Sequence, residues 1–243
     1  MFALETKNLK KYFGGVHAVD GLTMSIRKGT ITSIIGPNGS GKSSCVNVLS
    51  GVYPIDSGTV TIDGAHYYEL KTHDVSTYGI TRTFQEVRLF EQMTVLDNIL
   101  VVTTERGVFG ALFEKHTDYH LQKSMEALKR VGLEEKKNAL ASNLSYGQRK
   151  LLEIARVLAM DKSLLLFDEP FAGLFPQMVK IVVSILKELR EEGRTIVLIE
   201  HTMDIIRELS DEVIVIDEGR VLAHGTPEAV LKRKDVVEAY LGE

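Results

Sequence analysis

Short β-type runs punctuated by glycine open the chain. Residues 2–35 divide into ALETKNLKKY, AVDGLTMSIRKG and TITSIIG, with breaks at Gly14-Gly15 and Lys28-Gly29. The run 31–35 stops at Gly36, and a helix is predicted from about 42 to 49, ending at Gly51. GTVTID at 58–63 is a further strand before a turn at Gly64. Beyond residue 85 the pattern turns mostly helical. Thr94-Val-Leu-Asp97 has the spacing of a helix start for VLDNILVV, and 121–131 keeps a helical period up to Gly132. Residues 106–111, with two glycines, read as a loop.

β character returns at 163–167, and 176–192 follows as a long amphipathic helix with Gly193 beyond it. Residues 195–199 form the next strand. Residues 212–216 and 220–223 pair as a hairpin across Asp217-Glu218-Gly219, and Thr226-Pro227 opens a C-terminal helix. Strands alternating with helices predict an α/β fold whose central sheet is largely parallel. The continuous apolar runs LLLF and IVLI suit strands covered on both faces.

Composition narrows the function classes. Hydrophobic residues at 44% and charged residues at 26% are ordinary for a globular chain, and a net charge of -4 argues against a general nucleic-acid binder. Cys45, the one cysteine, excludes an internal disulfide and a multi-cysteine metal site; it reads as a small buried residue on a helix. No apolar run approaches the ~20 residues of a membrane helix, and the start MFALETKNLKKY lacks a secretion-signal core. The expectation is a soluble chain whose membrane role, if any, comes through a partner.

Gly36-Pro37-Asn38-Gly39-Ser40-Gly41-Lys42-Ser43 matches the phosphate-cradling pattern G-x-x-x-x-G-K-[ST]. The glycines let backbone N–H groups curl around a phosphate, and the positive end of the following helix adds to them. Lys42 is placed to reach the β- and γ-phosphates of a nucleotide, and the Ser43 hydroxyl to ligate Mg²⁺. Four apolar residues then lead into Asp168-Glu169. Asp168 is a candidate Mg²⁺ holder, and Glu169 a candidate base polarising the attacking water, a step worth roughly 10²–10⁴-fold in rate.

The stretch NLSYGQRKLLEIARVLA raises a different question. Ser145 followed three residues later by Gln148 is a capping box, worth about 1 kcal/mol and carrying no function alone. Gly147 costs roughly 1 kcal/mol against Ala in that first turn, as if room were kept for something large and negative. GPNGSGKSS, Gln85, LSYGQ, LLLFDEP and His201 occur in the order found in ATP-binding cassette (ABC) ATPases, and the chain resembles that family along its whole length.

The resemblance implies a P-loop NTPase with a mixed central sheet, an N-terminal antiparallel β-subdomain and an inserted α-helical subdomain. It divides the single 1–243 domain into a RecA-like and β lobe, at about 1–85 and 160–243, and a helical subdomain at about 86–159. ATP and Mg²⁺ are the implied cofactors. Gly36 to Ser44, including Ser44, hold the nucleotide. Tyr12 stacks on adenine, and Gln85 senses Mg²⁺ and water. His201 contacts the γ-phosphate. Ser145, Gly147 and Gln148 close over the nucleotide of a second cassette packed head to tail. Tyr146 stands where the family most often has Gly, and Phe175 where it usually has Asp or Asn in the loop that communicates between the two sites.

TRTFQEVRLFEQMTVLDNIL, DEPFAGL and the ending VVEAYLGE are similar to the ATPases of branched-chain amino-acid importers; urea importers and the ATPase of lipopolysaccharide export share parts of the pattern. The implied partners are a second cassette, the same or paralogous, transmembrane permease subunits and, indirectly, a substrate-binding protein. The implied location is the cytoplasmic face of the inner membrane, as a peripheral subunit without nucleic acid. Val87, Leu89 and Phe90 form an apolar cluster, readable as helical-lobe packing or as part of a groove for a permease helix. A soluble ABC ATPase acting on nucleic acid would be expected to carry two cassettes, coiled-coil insertions or basic arms.

Overall fold

The computed structural model describes residues 1–83, 87–103 and 118–241. These fall into two compact units, one drawn from 1–82, 163–169 and 186–243, the other from 83–162 and 170–185.

The first unit holds two sheets. Strands β1 (Phe2–Phe13) and β2 (Val16–Arg27) form a long antiparallel hairpin turned at Gly14-Gly15. β4 (Ser57–Ile62) pairs with the other edge of β1 and carries β5 (Ala65–Tyr67), giving the order β2-β1-β4-β5. Alternation along β1 buries Leu4, Thr6, Leu9 and Lys11. The pattern slips by one residue between Thr6 and Leu9, where Asn8 adopts φ 48° in a β-bulge.

The larger sheet has the order β10-β9-β3-β8-β7-β6. Its members are β3 (Ile31–Ile35), β6 (Ile80–Arg82), β7 (Leu164–Asp168), β8 (Thr195–Ile199), β9 (Glu212–Asp217) and β10 (Arg220–Gly225). β9, β3, β8, β7 and β6 are parallel neighbours, and β10 turns back antiparallel on β9, so the sheet is mixed. Glu218 at φ 45° and Gly219 at φ 75° make the two-residue turn between them. Every residue of β3, β7 and β8 is buried, which is why those strands read as continuous apolar runs.

Helix α1 (Lys42–Leu49) sends Cys45, Val46, Val48 and Leu49 into a core shared with Leu4, Leu9, Ile34, Leu164 and Ile214. Each such aliphatic side chain contributes about 1.5–3 kcal/mol on burial. Burial also pushes the Cys45 thiol up to about 12, so it acts as a small apolar residue. Thr226 and Pro227 open a helix as expected, but it is a single turn, Pro227–Val230, without a side-chain cap bond. The chain turns and a second helix follows at Lys234–Leu241.

In the second unit, α2 (Val95–Thr103), α3 (Asp118–Arg130) and α4 (Tyr146–Met160) pack on one another through Ile99, Leu100, Ala127, Leu128, Leu151, Leu152 and Ala155. Thr94 Oγ1 accepts from the Asp97 amide at 3.1 Å, as the helix-start spacing requires, while the same hydroxyl donates to the Asp97 carboxylate at 2.6 Å. Helix α5 (Pro176–Glu191) begins in this unit and ends in the first. The expected loop at 106–111 lies outside the described residues.

Candidate nucleotide site

The parallel strands of the larger sheet all end at one edge, and the first candidate site is assembled there. Leaving β3, the chain runs through Gly36, Pro37, Asn38, Gly39, Ser40 and Gly41 into α1. Gly41 has φ 100°, and a Cβ there would lie 2.2 Å from the Ala18 carbonyl oxygen, so only glycine fits. Gly39 has φ 82° and nothing within 4 Å of a hypothetical Cβ, so the loop is open at that position. The loop is pinned by Ser40 N–H donating to Pro37 O at 3.2 Å and by Gly219 N–H donating to Ser40 O at 2.9 Å. Gly41 stands at the N-cap without a side chain to satisfy the first-turn amides of α1, which suits a phosphate as their acceptor.

Lys42 donates to the carbonyls of Gly36 and Pro37, both at 2.8 Å. Desolvation pushes its amine below the ordinary lysine value, while the Glu169 and Asp168 carboxylates pull it back. Ser43, at the start of α1, is exposed, and Ser44 is half-buried. The hydroxyl of Ser43 and the carboxylate of Asp168 are both oxygen donors, the ligand chemistry Mg²⁺ prefers.

Asp168 closes β7 and is 3% exposed. Its Oδ2 accepts from Arg82 Nη2 at 2.7 Å. Glu169 follows at φ 47°, a left-handed conformation unusual for a residue with a side chain, and its N–H donates to Ile199 O at 3.1 Å. After β8, Glu200 is buried and its Oε1 accepts from the amides of His201 and Thr202 at 2.9 and 3.1 Å. The His201 side chain is two-thirds exposed.

Tyr12 is fixed at three points. Its N–H donates to Asp56 Oδ2 at 2.7 Å, its hydroxyl donates to Asp20 Oδ1 at 3.1 Å, and one ring face stacks on His17 with centroids 4.1 Å apart. The Arg220 guanidinium beside Asp20 holds that carboxyl below the usual carboxylate range. Asp20 N–H donates to Gly219 O, and Gly219 N–H to Ser40 O, so the tyrosine is linked to the phosphate loop through two residues.

The second candidate site is the start of α4. Ser145 Oγ accepts from the Gln148 amide at 3.4 Å and Gln148 Oε1 accepts from the Ser145 amide at 3.1 Å, a complete capping box. Lys136 Nζ donates to the same Gln148 oxygen at 3.2 Å. Ser145 is exposed. Gly147 is buried, and the space beside it is filled from within: a Cβ would meet Met178 Sδ at 2.4 Å. The glycine thus has a packing reason that the sequence pattern did not suggest. Tyr146, 52% exposed, lies over Gly173, where a Cβ would meet its ring at 2.7 Å. Phe175 caps α5 with its backbone carbonyl, which accepts from Met178 and Val179, and its ring is 74% exposed.

Gln85 lies outside the described residues. The structure adds residues that no sequence pattern singled out: Arg82 on Asp168, Asp20 on Tyr12 and Glu200 beneath His201. All three read in the sequence as ordinary charges.

A parallel sheet with a glycine loop and Lys42 after its β3 strand, and an acidic pair at the exit of a buried strand, defines a P-loop nucleotide hydrolase. Residues 19–172 match the ABC transporter family model, and 220–243 match the model for the branched-chain amino acid ATP-binding cassette transporter. The chain is 40% identical to the high-affinity branched-chain amino acid transport ATP-binding protein LivG of Salmonella typhimurium, over 99% of this chain and 98% of that protein.

Among solved structures it is similar to a nucleotide-free ATP-binding cassette from an ABC transporter, at TM-score 0.88 and 34% identity over 100% of both chains. It is also similar to a dimeric post-hydrolysis cassette bound to ADP and Pi, at TM-score 0.81 and 27% identity over 92% of this chain and 98% of that one. The chain belongs to the ABC transporter ATP-binding family and is an ATPase that binds nucleotide.

Proposed function

We propose that this chain is the ATP-hydrolysing subunit of a branched-chain amino-acid importer, working as one of two cassettes on transmembrane permease subunits at the cytoplasmic face of the membrane. The observation that carries the paired arrangement is the division of the ligand-ready groups. Lys42, Asp168 and Glu169 gather at one sheet edge of the first unit, while Ser145 waits, exposed, at a capped helix start of the second. The match of residues 220–243 and the LivG likeness support the cargo class. Among the described residues no helix is long and apolar enough to cross a membrane, which fits a peripheral subunit.

In this reading Tyr12 stacks on adenine, worth about 1–3 kcal/mol. The amides of Gly36 to Ser44 and the Lys42 ammonium hold the β- and γ-phosphates. Ser43 and Asp168, with Gln85, would hold Mg²⁺, which when bound would neutralise phosphate charge. Glu169 accepts a proton from the attacking water, and His201 donates to the γ-phosphate. Ser145, Gly147 and Gln148 of one cassette close over the γ-phosphate held by the other, and closure drives the permease as a rigid-body switch. The part of the apolar cluster at Leu89 and Phe90 that faces solvent, with Phe90 48% exposed, suits a permease helix.

Glu169→Gln is the test. It keeps the shape of the site and removes the proton acceptor, so saturating ATP-Mg²⁺ should shift the variant from monomer to dimer on gel filtration with light scattering. A variant that stays monomeric with ATP bound would overturn the paired-cassette reading.

A further inference from the structure

Arg82 ends β6, three residues ahead of Gln85, with its side chain only 6% exposed. Its guanidinium joins three elements. Nη2 donates to Asp168 Oδ2 at 2.7 Å, at the end of β7. Nη1 donates to Asn47 Oδ1 at 2.6 Å, in the C-terminal half of α1, and to Ser50 Oγ at 2.7 Å, at its C-cap. Asn47 lies four residues beyond Ser43, one turn along the same face of that helix. One planar fork therefore ties the helix bearing Lys42 and Ser43 to the strand bearing Asp168. A lysine carries a point charge on a flexible stem and cannot reproduce a fork with fixed donor directions. Removing the charge outright would strand a buried carboxylate, which is costly.

We infer that Arg82 is a positioning residue for the divalent-cation end of the nucleotide site. It fixes the Asp168 carboxylate and the Ser43 face of α1 relative to each other, so that both oxygen donors stand ready before a cation arrives. The inference rests on the reading of Ser43 and Asp168 as cation holders. Side chains that orient metal ligands from behind typically change metal affinity by about 10–100-fold when altered, and Arg82 donates to the side chains of Asp168, Asn47 and Ser50.

The experiment measures binding of a fluorescent ATP analogue to the full chain, in EDTA and across a Mg²⁺ titration. Arg82→Lys should bind the analogue in EDTA within about 2-fold of the unaltered chain but need about 10-fold more Mg²⁺ for the half-maximal response. Asn47→Ala combined with Ser50→Ala, which leaves the Arg82–Asp168 pair intact, should shift the Mg²⁺ midpoint the same way. It also decides the matter if Arg82→Lys does not fold. Unchanged Mg²⁺ midpoints in these variants, or equal loss in EDTA and in Mg²⁺, overturn the inference. Asp168→Asn separates the two readings: loss of its Mg²⁺ response beside unchanged midpoints in the Arg82 and Asn47/Ser50 variants sinks only the role of Arg82. A full Mg²⁺ response in Asp168→Asn sinks the cation site and the inference together.

Discussion

The phosphate loop after β3 and the helix start at Ser145 are both glycine-containing helix N-termini, yet they are built differently. At the loop, glycines at positive φ curve the backbone, a lysine folds back onto its carbonyls, and the buried Asp168 and half-buried Glu169 carboxylates balance its charge. At α4, an ordinary capping box satisfies the end of the helix with its own side chains. The loop is organised to hold charge by itself. The helix start is closed by its own side chains, as the proposed role of meeting the ligand last requires.

The comparison breaks most sharply at Lys42. Lys42→Ala should lose turnover on the order of 10²–10³-fold and weaken nucleotide binding to the lone chain, with circular dichroism unchanged. Phosphate release and analogue binding measure both. Ser145→Ala should act differently. A hydrogen bond to a charged group contributes roughly 1.5–3 kcal/mol, so turnover should fall about 10-fold or more while the lone chain binds ATP as before. Parallel loss of binding and turnover would erase the distinction between the two ends.

Gly147→Ala sharpens it at the smallest scale. Alanine gains about 1 kcal/mol in helix propensity, offset by the displaced but flexible Met178. Net stability should change by less than about 1 kcal/mol in urea unfolding. A larger loss, relieved by Met178→Ala, would mean that packing alone explains the glycine.

The strands were legible because buried parallel strands are apolar throughout, as in β3, β7 and β8. The phosphate loop was legible because its geometry demands glycine at fixed spacing. The three-residue strands β5 and β6 and the short helix Met203–Leu209 left no period long enough to read. Arg82 was invisible for another reason. A charge beside a short β run reads as solvated, and only the meeting of β6, β7 and α1 reveals that it is buried between partners. Gly147 stands out in the sequence as a glycine in a helix's first turn, but only the fold brings Met178, thirty-one positions later, into the space beside it.

The left-handed backbone at Glu169 has a further consequence. A side-chain-bearing residue held there costs on the order of 1 kcal/mol or more, and glycine would relieve it. Any selection for thermal robustness alone would therefore favour discarding the carboxylate that we propose activates the attacking water. Durability and turnover pull against each other at a single torsion angle.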